Sequence, residues 1–318
     1  MIEKERIKKY IKEYRWSNVF EMIKNSRLEP EECFEDFNGK NVVITGATSG
    51  IGYFTAKKYA SKGANIIAIN RNIEKSEKLK EELSKEYNIN FKYFIADLSS
   101  LEQIKNAANY LNSLKEPVDL LIHNAGIYLT KKEITEDGFE KVFVVNYLSY
   151  FIINYMIMEK LKSQTNNCRI IIVSSEGYRF AVWGLDFDDI NWEKRRYNGL
   201  KSYGASKVAQ LLSMIIFNEK FNGTNVTINA MHPGAVRTEA GRDNDKLYLW
   251  FKKNIYDRIL QSPEISARAL YYLGVSPKLN KVSCKFFNLT KEENLAPQAL
   301  DKQMAEKLWN LTLKILKI

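Results

Sequence analysis

The chain has 318 residues, 45% of them apolar and 27% charged, with a formal net charge of +10. That is ample for one large core, and no uninterrupted apolar run of the ~18–20 residues a membrane span needs is expected. Three scattered cysteines without a C-x-x-C pair argue against a disulfide framework, and two histidines argue against a histidine-rich zinc site, so no metal is expected.

The positive charge is spread. Residues 1–32 carry eight Lys/Arg against seven Glu, and lysines elsewhere mix with acids. No basic stripe follows from this, so nucleic acid is not an expected partner; the charge reads as a solvated surface or as a preference for anionic ligands such as a phosphorylated cofactor. The start, M-I-E-K-E-R-I-K-K-Y, lacks an apolar signal core, and a soluble, cytoplasmic protein is expected.

In chain order, residues 1–38 read as a helical extension packed on the main body, with Ile7, Tyr10, Ile11 and Tyr14, then Val19, Phe20 and Ile23, at helical spacing. From residue 39 to 318 the pattern predicts a single α/β domain. Strand-like runs fall at 41–45, 65–70, 91–96, 118–123, 169–174, 225–231 and 284–289. Amphipathic stretches at 74–86, 100–114, 147–162 and 203–221 alternate with them. The early strands are apolar throughout, as strands covered on both faces are. The alternation predicts a doubly wound, mainly seven-stranded parallel sheet with helices on both faces and a ligand crevice at the strand ends.

The first strand runs into T-G-A-T-S-G-I-G, residues 45–52, and then a helix. Glycines at 46, 50 and 52 allow a tight turn and close approach to a pyrophosphate, while the helix offers free N–H groups. The second strand ends in Asn70-Arg71, where an acid would hold the ribose hydroxyls of NAD; an arginine suits a 2′-phosphate, so NADP(H) is favoured over NAD(H), with a turn-capping arginine as the alternative. Asp97 is placed to accept from an adenine amine or to cap the next helix. Asn124, Ala125 and Gly126 follow the fourth strand, where small residues permit close approach to a ribose or simply turn the chain.

Tyr203 and Lys207, four apart, share one helix face, and a phenol needs a neighbouring cation for acid–base work near neutral pH. Ser174-Ser175 end the fifth strand, where a hydroxyl holds a carbonyl oxygen or caps a turn. Asn146 is placed to hold a water linked to Lys207 or to satisfy backbone groups.

Together these residues resemble the short-chain dehydrogenase/reductase family over nearly all of residues 38–312. The matching stretches are 45–52, Asp97, H-N-A-G (123–126), Asn146, Ser175, Y-G-A-S-K (203–207) and H-P-G-A-V-R-T (232–238). D-G-F-E-K-V-F-V-V-N (137–146), S-P-E-I-S-A-R-A (262–269) and D-K-Q-M-A-E-K-L-W (301–309) look most like the retinol-dehydrogenase branch and its bacterial relatives. The resemblance implies a Rossmann-type fold and hydride transfer between nicotinamide and a lipophilic alcohol, aldehyde or ketone. It implies Tyr203 as acid/base, Lys207 lowering its pKa, Ser175 orienting the carbonyl and Asn146 holding a relay water. It implies cofactor contacts at Gly46, Thr48, Ser49, Gly50, Ile51, Gly52, Arg71, Asp97, Leu98, Asn124, Ala125, Gly126, Tyr203, Lys207, Pro233, Gly234, Val236 and Thr238. The alternative is a non-catalytic NADP(H)-binding redox sensor on the same fold. His123 departs from the family's usual Asn. The stretch between Ser175 and Tyr203 carries Tyr178, Phe180, Trp183, Phe187 and Trp192, as a pocket wall or as cover for the sheet edge. Residues 239–261, rich in aromatics, are expected as a substrate lid or as core packing. A C-terminal helix at about 297–316 shows Met304, Leu308, Leu311, Ile315 and Ile318 as a stripe, for packing on the domain, a sister subunit in a homodimer, or a membrane surface.

Overall fold

A computed structural model describes residues 2–26, 28–237, 240–245 and 260–317. β1 (Asn41–Thr45), β2 (Asn65–Asn70), β3 (Phe91–Ile95), β4 (Leu120–His123), β5 (Cys168–Val173), β6 (Val226–His232) and β7 (Phe286–Asn288) form a parallel sheet in the order β3-β2-β1-β4-β5-β6-β7. The early strands are V/I/L-rich and buried on both faces, which is why the alternation was readable. The chain leaves β3 and returns beside β1, so the order reverses between β1 and β4 and opens a crevice at the carboxyl ends of the strands there.

An eighth strand, β8 (Lys291–Glu293), pairs antiparallel with β7 and extends the expected seven. Its sequence, K-E-E, has none of the apolar alternation that marks a strand; a tight return from β7 at Leu289 and Thr290 makes it, not its composition.

α3 (Gly50–Ala60), α4 (Ile73–Tyr87) and α8 (Glu264–Val275) cover one face. α5 (Leu101–Ser113), α6 (Lys141–Ser163), α7 (Gly199–Lys220) and α9 (Lys302–Leu316) cover the other. α6 and α7 both begin earlier than the apolar pattern suggests, because polar caps outweigh it. Glu140 accepts the Phe143 N–H (2.8 Å) and Asn198 accepts that of Lys201 (3.0 Å). Tyr203 therefore lies inside α7, not at its opening. α6 is long and apolar enough to span a membrane by length and composition, contrary to the expectation from sequence, but 78% of its apolar window is buried in the domain.

α9 packs on the domain through Ala305, Leu308, Trp309, Thr312 and Leu316, with Trp309 against Phe151 and Phe217. That seam is rotated from the expected stripe: Leu308 is on it, whereas Met304, Leu311 and Ile315 lie at its margin. Ile318 is outside the described residues. Before the sheet, α1 (Ile2–Glu13) and α2 (Trp16–Asn25) touch the C-terminal region: Tyr10 Oη donates to Asp301 (2.6 Å) and Asn25 to Glu293 (3.1 Å).

Candidate active site

The glycine turn after β1 is built by exclusion. A Cβ on Gly52 would stand 2.1 Å from the Gly46 oxygen and 2.6 Å from Asn124 Nδ2, so no side chain fits there. Gly46 adopts φ +70, the left-handed region that favours glycine, and its N–H donates to the Ile69 oxygen (2.8 Å). Asn124 Nδ2 donates to the oxygens of Thr45 and Gly46 (3.0 Å each), and the N–H groups of Asn124 and Ala125 donate to Thr45 Oγ1 (3.0 Å each). Asn70 Oδ1 accepts the Ala47 N–H (2.8 Å) while its Nδ2 donates to Ser76 Oγ (3.1 Å). The turn is thus fixed from β2 and β4, and the first N–H groups of α3 are left facing the crevice, suited to an anion.

The crevice is a cleft of about 1110 Å³, counting the space open to solvent. Gly46, Ser49, Gly50, Ile51, Arg71, Asp97, Leu98, Asn124, Ala125, Gly126, Tyr203, Lys207 and Pro233 line it. Four expected contacts are not on its wall. Gly52 lies beneath, against Gly46 and Asn124. Gly234 rests near Leu289, and Val236 is buried where its strand-like bridge meets Gln261. Thr48 lies in the turn but does not line the cleft. Thr238 and residues 239 and 246–259 of the expected lid, including Leu247, Tyr248, Leu249, Trp250, Phe251, Ile255 and Tyr256, fall outside the described residues.

Asp97 Oδ1 accepts from both Ser99 N and Oγ (2.8 Å each), shaping the turn before α5, whose own cap is Ser100. His123 faces away from the cleft: its Nε2 meets Asn154 Oδ1 at 2.9 Å, and burial lowers its pKa to about 4. None of Tyr178, Phe180, Trp183, Phe187 and Trp192 lines the cleft; Tyr178 is fully buried, and Phe187 lies under Lys307 of α9. Trp183 and Trp192 instead line a separate recess with Arg195, Arg196, Tyr197, Asn198 and Lys201.

Sequence reasoning missed Arg242 and Asp243, which reach the cleft from segment 240–245, and Lys141 and Val145 of α6. The adjacent opposite charges in G-R-D-N-D, just after the H-P-G-A-V-R stretch, were the available signal.

At the other end of the cleft, Ser175 caps a 3-10 turn (Glu176–Phe180), its Oγ accepting the Gly177 N–H (3.1 Å). A Cβ on Gly177 would touch both Ser175 Oγ (3.3 Å) and the Tyr203 ring (3.7 Å), so the glycine lets serine and phenol meet. Lys207 Nζ stands 5.4 Å from the Tyr203 ring centroid and donates to the Val173 oxygen (3.1 Å). Burial lowers the Lys207 pKa to about 7. Burial raises the Tyr203 phenol, and the Ser175 hydrogen bond opposes it. Desolvation is thus the largest influence on each of the two groups.

Asn146 sits in a π-helical turn (Val144–Leu148) of α6. Its Oδ1 accepts the Ile127 N–H (2.8 Å), and its Nδ2 donates to the Ile127 oxygen and to Ser206 Oγ (3.0 Å each). Gln210 Nε2 donates to its main-chain oxygen (2.6 Å). Both side-chain donors are spent, on the Ile127 oxygen and Ser206 Oγ, and Asn146 fixes α7 against the loop after β4.

Behind Ser175 lies a dry ion cluster. Arg179 bonds Glu176 through Nε, Glu293 through Nη2 (2.8 Å) and the Asn294 oxygen through Nη1 (2.9 Å). Burial, aided by Glu293 and opposed by Arg179, pushes Glu176 up to about 8. The Glu176 N–H approaches His232 Nδ1 at 3.4 Å, and burial and Arg179 lower that histidine to about 4, keeping it an acceptor.

A family model described as short chain dehydrogenase matches residues 40–184. Human retinol dehydrogenase 13 is 37% identical over 278 residues, spanning 85% of this chain and 82% of that protein. The chain belongs to the short-chain dehydrogenase/reductase family. Human retinol dehydrogenase 14 is 34% identical over 293 residues, spanning 86% and 85% respectively, so this dehydrogenase resembles the retinol-dehydrogenase branch. Its fold matches a short-chain dehydrogenase from Sphingobium yanoikuyae solved with NADPH, at TM-score 0.59 and 21% identity over 74% of this chain and 84% of that one. The dehydrogenase is therefore an oxidoreductase that uses a nicotinamide cofactor. Its own residues fit one: a turn whose side chains are excluded, an exposed helix start for the pyrophosphate, and Arg71 after β2.

Proposed function

We propose that this short-chain dehydrogenase interconverts lipophilic alcohols and their aldehydes or ketones, working with NADP(H) and as a reductase in cells. The observation that carries the reading is the meeting of Ser175, Tyr203 and Lys207 beside a glycine-lined cleft. Arg71, a permanent cation on the cleft wall where an acid would select NAD, supports the phosphorylated cofactor. Two relatives named for retinol, an apolar alcohol, support the substrate class.

Gly46, the start of α3 and Arg71 would hold the cofactor, and Gly126, Tyr203 and Lys207 would face its nicotinamide half. A bound nicotinamide would supply or take up the hydride at the carbonyl carbon. Ser175 Oγ would donate to the substrate oxygen and fix it beside the phenol. Tyr203 Oη would give that oxygen its proton in the reductive direction and recover it in the oxidative one. Lys207 supplies positive charge near the phenolate that forms. Asn146 acts by holding α7 through Ser206 and Gln210, and a relay water would find only the second lone pair of its Oδ1.

The test is NADPH oxidation against a panel of apolar aldehydes and ketones, with Tyr203→Phe alongside. Turnover should fall by at least the 10²–10⁴-fold that positioned proton transfer contributes, roughly, while cofactor binding stays nearly intact. Undiminished turnover in the variant defeats the mechanism.

A further inference from the structure

Segment 240–245 is a pinned strap on the wall of the cofactor cleft, which Ala240, Arg242 and Asp243 line. Asn244 Oδ1 accepts from Thr130 N (2.6 Å) and Oγ1 (2.8 Å), and its Nδ2 donates to the Tyr128 oxygen (2.7 Å). The Tyr128 N–H donates to the Ala240 oxygen (2.7 Å). These bonds hold the strap to the loop after β4, whose Tyr128 ring meets that of Tyr203 edge-on at 5.9 Å. The residue before the clasp, Asp243, consequently has a set position: Oδ2 lies 3.6 Å from Arg71 Nη2, and Oδ1 lies 3.8 Å from Arg242 Nε.

We propose that Asp243 is a specificity-determining residue whose carboxylate competes with the 2′-phosphate of NADP(H) for Arg71 and so moderates the preference over NAD(H). The inference rests on the NADP(H) reading above. Arg71 and Arg242 bring two positive charges and Asp243 one negative, a net of +1. A 2′-phosphate carries about −1.5 to −2 near neutral pH, going by phosphate monoesters in general. With Asp243 in place the sum is negative by up to about one charge, and with Asp243 displaced or neutralised it is close to zero. NADH brings no such group and finds Arg71 already paired, with no bare cation to desolvate.

The geometry makes the exchange easy. Both N···O separations exceed the 2.7–3.2 Å or so of a true hydrogen bond, and Arg71 is 43% and Asp243 29% exposed, so the pair is a loose, hydrated contact. A phosphate accepting directly from the planar guanidinium would displace it.

The experiment is fluorescence or calorimetric titration with NADPH, NADH, 2′,5′-ADP and 5′-AMP on wild type, Asp243→Asn, Asp243→Ser and Arg71→Ala, with melting curves to verify folding. Both Asp243 variants should tighten NADPH and 2′,5′-ADP about two- to fivefold relative to NADH and 5′-AMP, the scale of an exposed ion pair. An unchanged ratio in both variants overturns the proposal, as does equal weakening of all four ligands, which would make Asp243 structural. Arg71→Ala separates the two levels. If it weakens NADPH and NADH equally, the NADP(H) reading itself falls. If it weakens only the phosphorylated ligands while the Asp243 variants leave the ratio unmoved, the competition alone falls.

Discussion

Arg71 follows β2 and Arg179 follows the end of β5, both off the same edge of the sheet, and each guanidinium faces carboxylates. Around Arg71 the contact is long and half-exposed. Around Arg179 it is dry: the Arg179 and Glu293 side chains are each 1% exposed, and Arg179 bonds two carboxylates and a main-chain oxygen. Water decides the difference. A solvated pair is worth ~0–1 kcal/mol and is exchangeable for another anion, whereas a buried cluster is committed, because removing one member strands the others without water. The first belongs where a ligand arrives, and the second where a serine must stay in place.

The largest expected effect breaks the committed cluster. Arg179→Met leaves Glu176 and Glu293 buried without their cation and should destabilise the fold by about 3–5 kcal/mol. Urea denaturation at neutral pH measures it. A loss below about 1 kcal/mol would place Arg179 in the same class as Arg71 and dissolve the contrast.

A subtler probe is the proton on Glu176. Two buried carboxylates facing one guanidinium balance only if one carboxyl is neutral, in keeping with Glu176 raised from 4.5 to about 8 by burial. A group raised in the fold stabilises it fully below its unfolded pKa, and that contribution is lost as pH rises from about 4.5 toward 8. The slope is at most one proton, about 1.4 kcal/mol per pH unit. Arg179, Glu293, His232, Tyr178 and Tyr14 are the titratable neighbours among the described residues. Glu176→Gln mimics the neutral acid and should flatten the decline in denaturation free energy between pH 5 and 8 relative to wild type. Parallel curves for the two proteins would mean that Glu176 is ionised throughout.

The same contrast explains what the sequence made legible. Strands such as N-V-V-I-T are buried on both faces, so composition alone reveals them, and the glycine turn follows because T-G-A-T-S-G-I-G constrains backbone directly. Ser175, Tyr203 and Lys207 stood out because their types and spacing carry chemistry. The ion cluster was illegible: Glu176 and Glu293 lie on different elements, and no periodicity couples a residue after β5 to an edge strand. β8 was hidden for the related reason that K-E-E becomes a strand only through its neighbour. Arg242 and Asp243 depend on where the strap lies, and Asn146 on which of its donors are already spent.

The smallest expected effect uses salt to sharpen the comparison. Between about 0.1 and 1 M the screening length falls from about 10 to about 3 Å, which weakens contacts between hydrated charges and leaves dry ones nearly untouched. The NADPH-over-NADH binding ratio should therefore shrink a few-fold across that range, since it depends on Arg71 in an open cleft. The penalty of Arg179→Met, measured at the same two salt concentrations, should hold to within about 0.5 kcal/mol. A binding ratio indifferent to salt would mean that Arg71 meets its phosphate out of water, and then the two arginines would differ in partner rather than in solvation.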